Sequence, residues 1–269
     1  MKKSELFKRC VPVFLCCCLI FSAGAPAYAV DKKEVVKQAR GAYYNLRAQG
    51  LVEFQCSVAP NWEAMLAGQR QSNPAGADEA MKVLKQLQFT LFLGPDGAAK
   101  VTHNTFPATN DQMAKGLDQI FSGMEQMLTG FFQTWSPFLL YSPFPEIDGD
   151  YRLEEQGPHW GLFYKDGSAG IVTIMNKEFA ISELKVTTAE FVSVIRPQFT
   201  RIAKGLLLSG YQADYQGKLP AEATKLQVQI RYQEVNGLSV PQKLNINGSY
   251  GGSPFEQEIT FTNCQVKKR

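Results

Sequence analysis

The chain has 269 residues, of which 45% are hydrophobic and 20% charged, with a formal net charge of +3; this is enough chain to bury a substantial core. Lys2, Lys3, Lys8 and Arg9, offset by Glu5, account for that charge, so the remainder is close to neutral. With no dense Lys/Arg run after the start, the composition argues against nucleic acid as a partner.

The basic start runs into the apolar stretch from Val11 to Phe21 and then Ala27-Tyr28-Ala29. This pattern predicts an export signal over residues 1–29 with a small-x-small cleavage site, followed by a single domain over residues 30–269, periplasmic or secreted. The apolar stretch is short for a membrane span, and no comparable one follows. Bulky residues or cysteines precede Cys16, Cys17 and Cys18, which does not suit a lipidation site. Four of the six cysteines leave with the leader. The remaining two, Cys56 and Cys264, are expected to form one disulfide in an oxidising compartment, which requires that the two ends of the domain be neighbours.

Asp31, with Glu34 three residues later, predicts a helix start before Val35, Val36, Ala39, Tyr43 and Leu46, closed by Gly50. Leu51 to Val58 reads as a strand with Val52, Phe54, Cys56 and Val58 on one face. A short helix around Trp62, Met65 and Leu66 follows, and another is expected from Asp78 with Met81, Leu84 and Leu87 as its stripe. Gln88 to Leu93, then Gly94-Pro95-Asp96-Gly97, then Ala98 to Thr102 predicts strand, turn, strand. Thr109 and Gln112 suggest a capping box before the most informative helix. Its apolar face comprises Met113, Leu117, Ile120, Phe121, Met124, Met127, Leu128, Phe131, Phe132 and Trp135, and Pro137 is expected to stop it.

From Tyr151 the pattern becomes two-fold. Strands are expected around Tyr151, Trp160 to Tyr164, Gly170 to Met175 and Phe179 to Val186. Thr187 and Glu190 suit the cap of a short helix before Pro197, although Phe191 to Ile195 is β-branched enough to leave helix and strand both open. Leu206 to Tyr215 and Leu226 to Tyr232 read as strands, Asn236-Gly237 as a hairpin turn, and Phe255 to Val266 as the last strand. No repeat, low-complexity tract or domain linker is read anywhere after the leader. The expected class is α+β: a curled antiparallel β-sheet, an incomplete barrel, with helices covering its concave side. The Pro-rich segment from Ser136 to Gly149 is expected as a loop over an opening at the sheet rim.

The chemistry of catalysis is sparse. His103 and His159 lack the spacing of a metal motif, Asp148-Gly149-Asp150 resembles a calcium-loop fragment without the remaining ligands and reads as an ordinary turn, and there is neither a Gly-x-Ser-x-Gly elbow nor a phosphate loop. No cofactor or metal is expected, and the protein is read as not an enzyme. The methionines and phenylalanines of the long helix suit an adaptable pocket as well as a core. Ile120, Phe121, Met124, Met127, Leu128 and Phe131 are the ligand-cavity candidates, with Asp118, Gln119, Ser122, Glu125, Gln126 and Gln133 assigned to the opposite, polar face.

The export signal, the helix running into Val52-Glu53-Phe54, Gly205-Leu206-Leu207-Leu208, Tyr211-Gln212-Ala213-Asp214-Tyr215, Val235 to Leu244 and the closing Ile259-Thr260-Phe261-Thr262-Asn263 together resemble the LolA/LolB family of periplasmic lipoprotein carriers. That resemblance spans most of the chain after the leader. It implies an incomplete antiparallel barrel lidded by helices around an apolar cavity, with Thr109 to Trp135 as a lid and Val235 to Leu244 as a hairpin leading to the last strands. Leu51 to Val58 and Gln88 to Leu93 carry no counterpart of the early-strand arginine that helps govern acyl binding in the family's carrier. The resemblance therefore implies handling of some other lipid or apolar small molecule, with a transient membrane or protein partner in the envelope. The competing expectation is an envelope structural or interaction module with a solid core and no ligand.

Overall fold

The computed structural model describes residues 31–219 and 223–269; the export signal expected over residues 1–29 lies outside them. The described residues open with helix α1 (Lys32–Gly41) and strand β1 (Leu51–Pro60), then the short helices α2 (Trp62–Met65), α3 (Ala67–Ser72) and α4 (Pro74–Leu84). The hairpin β2 (Phe89–Leu93) and β3 (Ala99–His103) leads to the long helix α5 (Asp111–Leu139). After it come β4 (Tyr151–Gln156), β5 (His159–Asp166), β6 (Ala169–Asn176), β7 (Ile181–Thr187) and β8 (Val192–Ile202). The last four strands are β9 (Gly205–Gln216), β10 (Thr224–Val235), β11 (Leu238–Tyr250) and β12 (Ser253–Lys268). Lys32–Arg269 forms one compact unit.

The twelve strands among the described residues belong to one open antiparallel sheet in the order β3-β2-β1-β12-β11-β10-β9-β8-β7-β6-β5-β4. Strands β4 to β12 form a simple meander. The first strand then pairs with the last, so β3 and β4 are the two sheet edges and α5 is the chain segment that links them. The Cys56–Cys264 disulfide joins β1 to β12, with an S–S distance of 2.06 Å. Register shifts by one residue at that point, between Gln55↔Gln265 and Ser57↔Thr262. Asn263 takes the extra position with φ of 50°, a left-handed conformation that asparagine tolerates well.

Local sequence explains most boundaries, including those that depart from expectation. Asn110, not Thr109, caps α5 by accepting from the Met113 amide at 2.8 Å, while the Thr109 hydroxyl meets the Met113 sulfur. Pro137 does not stop α5, which continues to Leu139; one missing N–H in the last turn is tolerated. Helix α4 starts at Pro74 rather than Asp78, because Asn73 accepts from the Gly76 amide and proline suits the first helical turn. Leu87 lies past its end. Phe179 has φ of 66° and precedes β7, which begins only at Ile181.

The segment left open between helix and strand is β8, and Pro197 lies inside it. Pairing of β8 with β7 covers only Val192 to Ile195, so Pro197 sits beyond that ladder and its missing N–H interrupts nothing there. Asn236-Gly237 does form the β10–β11 turn, with φ of 51° and 77° as a type I′ hairpin requires.

The core lies against α5. Phe132 and Trp135 pack on Phe54 of β1, Phe132 packs on Phe261 of β12, and Phe138 packs on Phe199 of β8. The segment after α1 ties distant strands together: the Tyr43 hydroxyl donates to the Phe179 carbonyl and accepts from the Ile181 amide, while the Tyr44 hydroxyl accepts from the Ser239 amide. Residues 140–149 pack on α1, where Arg40 donates to the carbonyls of Phe144 and Pro145, and they do not line the cavity between α5 and the sheet.

Candidate ligand-binding cavity

Helix α5 contains a feature that the apolar periodicity conceals. Lys115-Gly-Leu-Asp-Gln-Ile-Phe121, Ser122-Gly-Met-Glu-Gln-Met-Leu128 and Thr129-Gly-Phe-Phe-Gln-Thr-Trp135 are three successive copies of one seven-residue pattern. The absence of a repeat expected from the sequence is thereby corrected. At about 100° per residue a seven-residue spacing returns almost to the same side, so Gly116, Gly123 and Gly130 form one row. Gln119, Gln126 and Gln133 form a second row about 60° away around the helix.

These rows border a cavity of about 940 Å³ between α5 and the sheet. From the helix, Ile120, Met124, Met127 and Phe131 also line it. The opposing wall comes from Tyr211 and Tyr215 of β9, Leu226 and Val228 of β10, and Ile246 of β11. Trp62 and Met65 of α2, with Tyr250 and Phe255 of the β11–β12 hairpin, complete its border. The strands supply this wall because their alternation puts Leu226, Val228 and Ile246 on the α5 side, while Gln227 and Gln229 are exposed.

Of the six cavity candidates, Ile120, Met124, Met127 and Phe131 border the cavity, and Phe121 and Leu128 do not. Phe121 stacks on His103 of β3 with ring centroids 3.6 Å apart and meets Phe89 edge-on. Leu128 is fully buried in the core. The physical reason is angular: both occupy the same position of the seven-residue pattern as Trp135, further round the helix than the cavity reaches. Conversely, Gln119, Gln126 and Gln133, assigned from sequence to the face away from the ligand, lie on the cavity border.

The glycine row needs a cause, since each glycine inside a helix costs about 1 kcal/mol relative to alanine. Close packing is not the cause, because a Cβ built on Gly116, Gly123 or Gly130 would meet no atom within 4 Å. The glycines leave space.

Among the described residues, the lining contains aliphatic, aromatic, amide, hydroxyl and glycine groups and no Asp, Glu, Lys, Arg or His. Burial pushes the Tyr211 and Tyr215 hydroxyls above the ordinary tyrosine pKa, opposed by hydrogen bonding to Thr134, so both are uncharged at neutral pH. The hydroxyls of Thr134 and Tyr215 are 3.0 Å apart. The Gln257 side-chain carbonyl oxygen, on the cavity border, is buried and has no hydrogen-bond partner among the described residues. No group of three His, Cys, Asp or Glu able to hold a metal ion occurs among those residues, and none of their helices is long and apolar enough to cross a membrane. The sheet-side wall was not legible from a single strand at a time; the seven-residue spacing of glycine and glutamine was the sequence signal for the helix side. A scan of family models finds no match to this chain, and comparisons with curated proteins and with solved structures find none either.

Proposed function

We propose that the protein is an exported, non-enzymatic carrier or binding protein for a lipid or another apolar molecule, which it holds between α5 and strands β9 to β11. The observation that carries this reading is the cavity of about 940 Å³ with an unfilled glycine row along one wall. Burial of a guest there contributes roughly 0.8 kcal/mol per methylene, with no covalent chemistry needed. The Met124 and Met127 thioethers suit guests of varied shape.

The architecture in this reading is a sheet that curls around α5, with the helix as its cover. Support comes from reach. Thr134 touches Tyr215 of β9 while its neighbour Trp135 packs on Phe54 of β1, and these strands are four steps apart in the sheet. In a flat sheet that separation is about 19 Å, wider than a helix with its side chains. The bonds of Tyr43 to the start of β7 and of Tyr44 to the start of β11 span four steps in the same way. A helix-covered, incomplete barrel of the LolA/LolB type is consistent with this, as is the Cys56–Cys264 disulfide with an oxidising envelope compartment. A structural module with a solid interior would have larger side chains where Gly116, Gly123 and Gly130 stand.

Native mass spectrometry of protein purified without detergent tests the proposal. A bound apolar species near one per chain is expected. Protein that is empty on isolation, and stays empty after incubation with host lipid extract, would contradict it.

A further inference from the structure

Resting on the carrier reading, we infer that the guest is an uncharged amphiphile: an extended hydrocarbon part lies along the glycine row, and hydroxyl or amide groups meet the glutamine row and Gln257. Neither the length nor the polarity of the site is arbitrary. Gly116 and Gly130 are fourteen residues apart in α5, about 21 Å along the axis. The hydrocarbon of one bilayer leaflet is about 15 Å deep, so one acyl or comparable chain fits lengthwise.

The polar groups select the head. The two helix rows run side by side, so a guest lying in the glycine trough has amide groups along one flank for its whole length. Each glutamine offers both donors and acceptors, and Tyr215, Thr134 and Thr224 add hydroxyls on the cavity border. These pair well with a hydroxyl, ester or amide. They supply no cation to a carboxylate or phosphate and no anion to an ammonium group, and a buried charge without its counter-charge is strongly disfavoured. The charged residues of the same helix, Asp111, Lys115, Asp118 and Glu125, do not border the cavity. Gln257 adds an independent sign, because its buried carbonyl oxygen has no partner among the described residues and can accept from a hydroxyl or amide N–H of the guest.

Displacement of a bound uncharged naphthylamine dye tests the inference with three probes of one chain length: monopalmitoylglycerol, palmitic acid and hexadecyltrimethylammonium. At about pH 8, where the carboxyl is ionised, the monoglyceride is expected to displace the dye at about tenfold lower concentration than either charged probe. Gln257→Leu and Gln126→Leu, each measured relative to its own dye affinity, should shrink that preference about threefold or more. Equal displacement by all three probes would overturn the inference and leave the carrier reading standing, since the head would then lie in water. Failure of the dye and of every probe to bind would overturn both. A monoglyceride preference unchanged in both glutamine variants would overturn the assignment of the head to the amide groups.

Discussion

Trp135 of α5 donates its indole N–H to the hydroxyl of Tyr232 on β10 at 3.0 Å, and Tyr232 donates in turn to the Leu208 carbonyl at 2.6 Å. This chain of two bonds fixes the helix to the middle of the sheet beside the cavity. Trp135 is fully buried, so both ends of the chain lie where water cannot replace a lost partner.

Tyr232→Phe removes only one oxygen but strands the Trp135 N–H and the Leu208 carbonyl. A loss of about 1–3 kcal/mol in stability is expected from urea unfolding, with a change in tryptophan fluorescence of the folded protein. A variant as stable as the parent would show that these bonds do not hold α5.

Two glycine substitutions should have opposite signs. Gly123→Ala places a methyl in open space and should raise stability by about 1 kcal/mol through helix propensity. Gly205→Ala should be destabilising, because Gly205 has φ of 123° and its added Cβ would lie 2.8 Å from the backbone of Ala42, Tyr43 and Tyr44. Thermal unfolding of both variants decides this. Destabilisation by Gly123→Ala would mean that the glycine row serves packing instead of space.

The disulfide links residues 208 positions apart and joins β1 to β12. In the chain-entropy account a loop of that size contributes about 5 kcal/mol. The Cys56→Ser, Cys264→Ser double variant should therefore unfold at markedly lower denaturant, with β1 to β3 exchanging amide hydrogens first. Unchanged stability would remove the bridge from the account of how the two ends of the domain are held.

Alkaline pH should unfold the protein through its buried tyrosines. Burial raises the hydroxyls of Tyr43, Tyr211, Tyr215 and Tyr232, and pushes that of Tyr164 up to about 12. A folded pKa above the unfolded value near 10 gives stability that is complete below about pH 10 and lost as pH rises toward and through the folded values. Tyrosine ionisation followed by ultraviolet absorbance should coincide with loss of ellipticity. Full ionisation of a still-folded protein would contradict the burial of these rings.

Strand and turn chemistry made most of the sheet readable: Asn236-Gly237 demanded its turn, and Val228 and Ile230 alternated with exposed partners. The pairing of β1 with β12 was foreshadowed only by Cys56 and Cys264, since strand order is a long-range property that periodicity does not encode. Pro137 and Pro197 misled because the cost of a proline depends on its place: Pro137 lies in the last turn of α5 and Pro197 lies beyond the β7–β8 ladder. The apolar stripe of α5 was visible but not its division. Phe121 and Leu128 look like Met124 and Phe131 in composition, and only the angle around the helix, set by the glycine row, separates core from cavity.

The most direct measurement is the site of contact between protein and guest. The protein is loaded with an uncharged long-chain alcohol bearing a diazirine, irradiated, digested and mapped by mass spectrometry. Adducts are expected on α5 between Gly116 and Thr134 and on the facing segments of β9 to β11, and Gly123→Trp, which fills the trough, is expected to suppress them. Adducts confined to other surfaces, or labelling that Gly123→Trp leaves unchanged, would contradict a guest held between α5 and the sheet.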